Sequence, residues 1–263
     1  MGEPLLLLHG FTGSADAWSQ VAARLSSRRR ILAIDLPGHE ALRPEGDPPA
    51  RITVEECVAH VLRFLDELRI RRVVLLGYSM GGRVALRFAL DHPEHVRALV
   101  LESASPGIAD PAERDARRAS DEALAERIER DGIAAFVDAW MEKPIFASAS
   151  RLPPVVLARE RTMRMRHRPE GLTASLRGMG QGTTAPMWDA LPLLRVPALL
   201  LAGELDAKYR DIAAKMTARM PDARVAIVPD AGHAAHLDAP DAFTELVDRF
   251  LTELDRDPQG DPR

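Results

Sequence analysis

VVLLGYSMGGRVAL, residues 73–86, runs through four apolar residues, breaks at a serine between glycines, and resumes with an arginine in an apolar setting. Gly77-Tyr78-Ser79-Met80-Gly81 matches G-x-S-x-G, the pattern of a sharp strand-to-helix turn with a serine hydroxyl at its apex. Glycines on both sides relieve the crowding that such a turn imposes. The apolar run ends at Gly77 and a helix-like run starts at Met80, so the flanks suit the motif. The stretch predicts a buried strand, a strained turn at Ser79 and a helix leaving it.

Five other runs share the character of residues 72–77: 4–10, 30–35, 96–103, 196–204 and 223–233. Unbroken apolar runs of this length suit strands covered on both faces of a parallel sheet. Amphipathic segments separate them, such as 53–69, with Thr53 placed as an N-cap. Alternating β and α elements imply a mostly parallel, doubly wound α/β sheet. The alternation stops over residues 106–190, where helices are expected at 111–131 and 133–142 and no strand is apparent. The expected organisation is a core in two parts, 1–105 and 191–255, a helical lid at 106–190, and a flexible tail at 256–263.

With 263 residues, 46% of them hydrophobic, the chain is long enough for a large core, and its net charge of −4 argues against general binding of nucleic acid or anionic membranes. Cys57 is the single cysteine, which excludes an internal disulfide and a thiolate metal cluster and suits a buried apolar role. The short apolar start has no basic leader, and no window approaches the roughly 18 apolar residues of a membrane helix, so a soluble, cytoplasmic protein is expected. Oligomeric state is not legible. No phosphate-loop motif and no HExxH or paired-carboxylate metal signature occurs, so no metal and no cofactor are expected.

An elbow serine needs a base, and the base an orienting acid. Asp206 follows a strand at the edge where open α/β sheets face their ligands, and His233 lies in the loop DAGHAAHLDAP. Asp230, Asp238 and Glu204 compete for the acid role, and His236 for the base. The backbone N–H groups of Phe11, in HGFTGS, and of Met80 are placed to form an oxyanion hole. His9 and His39 read as turn and packing residues, and His60, His92, His95 and His167 as surface positions. Arg83 lies one helical turn beyond Ser79 and can face the same cleft. Residues 151–168 add Arg151, Arg159, Arg161, Arg164, Arg166 and Arg168 against the single acid Glu160, a composition that suits carboxylate recognition.

GYSMGGR (77–83), LESASPG (101–107), ASLRGMGQG (174–182) and AGELDAKY (202–209) together resemble the 2-succinyl-6-hydroxy-2,4-cyclohexadiene-1-carboxylate (SHCHC) synthases of menaquinone biosynthesis, which have the α/β-hydrolase fold. The resemblance runs from LLHGFTGS to AGH. It implies a cofactor-free lyase in which Ser79, kept basic by His233 and Asp206, removes a proton and pyruvate is eliminated from a polycarboxylate substrate. It also implies that Tyr78, Arg83, Arg117, Trp140 and Arg161 surround that substrate, with Arg118 and Arg159 as neighbouring candidates. The chain departs from the family at Gln181, where a small hydroxyl residue is usual, and at Thr184 and Ala185. A serine esterase or C–C hydrolase on the same fold is the competing reading; an apolar lid would favour it.

Overall fold

The computed structural model describes residues 3–39 and 49–256. Its sheet has six strands: β1 (Leu5–Leu8), β2 (Ile31–Ile34), β3 (Val73–Tyr78), β4 (Val96–Glu102), β5 (Ala198–Gly203) and β6 (Ala223–Val228). Every pair is parallel, in the order β2-β1-β3-β4-β5-β6. All six expected strands form; the last ends at Val228, and the residues up to His233 are loop.

Leu5 to Leu8 are fully buried, and alternation explains how both faces are served. Leu6 and Leu8 face a core with α2 (Val54–Glu67), α3 (Met80–Asp91) and α7 (Ala207–Thr217). Leu5 and Leu7 face a second core with α1 (Ser19–Leu25) and α9 (Pro240–Arg256). Each buried leucine contributes about 2 kcal/mol through removal of apolar surface from water. Thr53 caps α2 in a reciprocal box with Glu56, as its position predicts, and Cys57 is buried.

The chain leaves β1 toward β2 and returns to the other side of β1 as β3. This reversal opens a crevice between the loop after β1 and the turn after β3, where ligands of such sheets bind. Between β4 and β5 the described residues form no strand. They fold as α4 (Pro111–Met141), α5 (Pro154–Arg164) and α6 (Pro169–Met179) around a small apolar core that includes Ile128, Phe136 and Leu172. The break expected between 131 and 133 is a kink at Gly132, with φ 78° and ψ 173°. That conformation is open only to glycine. Among the described residues no helix is long and apolar enough to cross a membrane. Of the tail expected at 256–263, only Arg256 lies within the described residues, as the end of α9.

Candidate active site

β3 delivers Ser79 at φ 50° and ψ −105°, a strained conformation for a residue with a side chain. Two glycines make the turn sterically feasible. A Cβ on Gly77 would lie 2.4 Å from the Gly81 carbonyl oxygen, and one on Gly81 would lie 2.4 Å from the Leu8 and His9 oxygens. The start of α3 thereby docks directly on the end of β1, and Ser79 N–H donates to the Glu102 carbonyl at 2.8 Å. Met80 is the first residue of α3, so its N–H has no acceptor within the helix and points from the positive end of the dipole.

The Ser79 hydroxyl lies 3.1 Å from His233 Nε2, and His233 Nδ1 lies 2.8 Å from Asp206 Oδ2. Because the carboxylate only accepts, Nδ1 carries the proton and Nε2 is left to accept from the serine. Asp206 is fixed in turn by capping α7, accepting from Tyr209 N–H at 3.2 Å. The competing acids are engaged on the backbone of the histidine loop instead. Asp238 accepts from Gly232 N–H at 2.7 Å, and Glu204 from Asp230 N–H at 3.0 Å. His236 has its own acid: Glu102, fully buried, accepts from its Nδ1 at 2.8 Å and from its N–H at 2.9 Å. The His236 ring packs against Tyr78, which also touches His233.

A cavity of ≈ 500 Å³ opens on Ser79 and His233, and Phe11, Tyr78, Met80, Arg83, Arg117 and Trp140 all line it. Arg83 is buried, donates Nη2 to the Met179 carbonyl at 2.8 Å, and leaves Nε without a partner. It forms no ion pair with a carboxylate of the described residues. Burial lowers its pKa to about 10, so it stays cationic at neutral pH. Arg117 pairs with Asp121 at 2.8 Å and donates to Gln181 at 3.0 Å. Trp140 meets Phe11 edge-on at 5.2 Å, and its indole N–H has no acceptor.

Arg161 does not join this group. It is half exposed, bound to Asp138 at 2.8 Å, and does not line the cavity. The same holds for the rest of the run from Arg151 to Arg168, whose charges are engaged elsewhere. Arg164 pairs with the buried Glu160 at 2.7 Å, Arg166 with Asp16 at 3.0 Å and Arg168 with Glu170 at 3.5 Å. Arg151 donates to the Asp230 carbonyl, and Arg159 to Ser19 and the Asp16 carbonyl. Arg118, the neighbouring candidate, pairs with Asp115 on the surface. Composition counted arginines without knowing which helix face carries them. The cations that do reach the cavity besides Arg83 and Arg117 are Arg127, Lys143 and Lys208. Arg127 could have been found: Arg117, Ser120, Asp121, Leu124 and Arg127 recur at helical spacing, and all five line the cavity.

Behind the Phe11 loop three imidazoles pack in a row, tilted and edge-on to one another. His39 sits 5.1 Å from His9 and 5.5 Å from His167 between ring centres. His167 is buried rather than on the surface, and its Nε2 donates to the Thr12 carbonyl at 2.9 Å. His9 accepts the Leu36 N–H at 2.9 Å, which is the turn-shaping role expected of it. Burial lowers His9 to about 4 and shifts His39 and His167 in the same direction. Below about pH 6.5 the unfolded chain therefore takes up protons that the folded chain refuses. Stability present above that pH should be lost as pH falls toward 4, seen as a declining urea midpoint. His39→Leu should flatten the decline; an unchanged slope would assign acid lability to carboxylates elsewhere.

Comparisons with known proteins agree with this architecture. A family model described as alpha/beta hydrolase fold matches residues 3–240. A Bacillus subtilis (strain 168) protein, provisionally named 2-succinyl-6-hydroxy-2,4-cyclohexadiene-1-carboxylate synthase, is 40% identical across 96% of this chain and 91% of its own length. The synthase of that name from Klebsiella pneumoniae (strain 342) is 35% identical across 94% of this chain and 93% of its own. Among solved structures, MenH from S. aureus superposes with a TM-score of 0.91 at 32% identity, covering 96% of this chain and 94% of that one. The chain belongs to the alpha/beta hydrolase fold family and, within it, to the SHCHC synthase family.

Proposed function

We propose that the chain is a lyase that eliminates pyruvate from 2-succinyl-5-enolpyruvyl-6-hydroxy-3-cyclohexene-1-carboxylate, with Ser79, His233 and Asp206 as its proton-transfer triad. The observation that carries this reading is Arg83, a buried guanidinium with no carboxylate partner in the cavity that holds the Ser79 hydroxyl. A neutral ester would leave that cation desolvated and unanswered, whereas a polycarboxylate completes it. The names of the synthase relatives support the same substrate class.

Asp206 holds His233 with its proton on Nδ1, and Nε2 draws the Ser79 proton. Ser79 Oγ then takes the proton from the ring carbon beside the succinyl carbonyl. The electron pair of that C–H bond moves onto the carbonyl oxygen, which the Phe11 and Met80 N–H groups receive. As the enolate collapses, the ring double bond shifts and the C–O bond to the enolpyruvyl group breaks. The departing enolate takes up a proton and becomes pyruvate, so the electron count closes without an added oxidant, metal or organic cofactor. Arg83 and Arg117 hold the carboxylates, and Tyr78 and Trp140 wall the ring.

Coupling to lactate dehydrogenase tests this directly. One pyruvate per substrate consumed is expected; consumption without pyruvate would contradict the lyase reading.

A further inference from the structure

Arg117, Gln181 and Tyr209 form a hydrogen-bonded chain whose polarity is fixed by chemistry. Arg117 Nη1 lies 3.0 Å from Gln181 Oε1, and Gln181 Nε2 lies 3.0 Å from the Tyr209 hydroxyl. A guanidinium only donates, so the amide must turn its oxygen to Arg117 and its nitrogen to Tyr209. The Tyr209 oxygen is therefore an acceptor, and its own proton has no acceptor among the described residues.

That proton is well placed. Tyr209 is buried and lines the cavity together with Arg83 and Arg117. Its ring packs on His233 at 4.6 Å between centres, and its N–H donates to Asp206 at 3.2 Å, so the hydroxyl rides on the scaffold that holds the triad. Burial pushes the phenol pKa up, against the pull of Gln181 and Arg83, so the group keeps its proton at neutral pH.

We propose that Tyr209 is a further substrate-contact residue. Its hydroxyl, turned by Gln181, donates to an anionic oxygen of the substrate beside Arg83 and Arg117, and Gln181 is its positioning residue. The proposal rests on the lyase reading and adds to it a donor that the family resemblance does not name. A phenol supplies a directional hydrogen bond without adding a further cation to those that already line the cavity. A small hydroxyl side chain, which the family resemblance implies at position 181, would be too short to span from Arg117 to Tyr209 as Gln181 does.

Tyr209→Phe keeps the ring on His233 and removes only the donor. KM for the enolpyruvyl substrate should rise about 10- to 30-fold, as for loss of a hydrogen bond to a charged group, with kcat within about threefold. Gln181→Thr should raise KM in the same direction by less. The double variant should lose less than the product of the two single losses, because Gln181 acts mainly through the hydroxyl while Arg117 keeps Asp121 as a partner. A merely structural role would instead disturb His233 and lower kcat. Wild-type KM in Tyr209→Phe, or a double variant whose loss is the product of the two single losses, would overturn the proposal and leave the lyase reading standing. Absence of pyruvate release by the unaltered chain would overturn the lyase reading and the proposal with it.

Discussion

Ser79→Ala and His233→Ala should each lower kcat for pyruvate release by about 10² to 10⁴, the usual cost of losing a general base, with the fold intact. Both side chains sit at the cavity: Ser79 is at the tip of the turn, and among the described residues the His233 ring hydrogen-bonds to Ser79 and Asp206 alone. Asp206→Asn should fall in the same range. The asparagine amide can donate to Nδ1 and favour the wrong tautomer, yet it still caps α7, so stability should change little. Asp238→Asn is the useful contrast. Asp238 only accepts from the Gly232 N–H, which an asparagine oxygen can still do, so the histidine loop should stay in place and the rate should fall much less. A wild-type rate in Asp206→Asn alongside a silenced Asp238→Asn would move the acid role to the other carboxylate.

Arg83→Ala should lower kcat/KM for the polycarboxylate by roughly 10² or more, at about 1.4 kcal/mol per decade. The guanidinium is already desolvated, so an anion that meets it gains charge-assisted hydrogen bonds without the full cost of stripping water from the cation. In the alanine variant the anion loses its Arg83 partner, and the Met179 carbonyl loses one of its two donors, keeping the Thr184 hydroxyl. Arg83→Lys should restore only part, since an ammonium keeps the charge but not the planar fork that reaches Met179 and the cavity together. Slow hydrolysis of p-nitrophenyl acetate, which has no carboxylate, should be nearly indifferent to the same change. Equal losses on both substrates would mean that Arg83 serves to hold α3 against the Met179 turn.

The elbow, the strands and the order of Ser79, Asp206 and His233 were legible because each leaves a local mark: an apolar run, a Gly-x-Ser-x-Gly turn, a carboxylate just past a strand. Sequence favours Asp206 over Asp230, Asp238 and Glu204 only by its place just past a strand; coordinates tell a side chain bonded to imidazole from the Asp238 and Glu204 carboxylates bonded to backbone. Arg161 failed for a related reason. Six arginines in eighteen residues look like an anion site, but the folded segment turns them toward partners such as Asp138 and Asp16. His167 reads as a surface position from sequence; the partners that bury it, the His39 ring met edge-on and the Thr12 carbonyl, are distant in sequence. Gln181 was visible only as a departure from the family, and its partners Arg117 and Tyr209 emerge with the fold.

The central claim is that Ser79 moves a proton and never bonds to carbon. Intact-mass spectrometry of the enzyme, acid-quenched while the enolpyruvyl substrate is being consumed, reads this without ambiguity of rate. The account predicts the mass of the unmodified chain at every time point, with pyruvate accumulating. A protein mass increased by an acyl group, mapped to Ser79, would contradict it and make the serine a nucleophile.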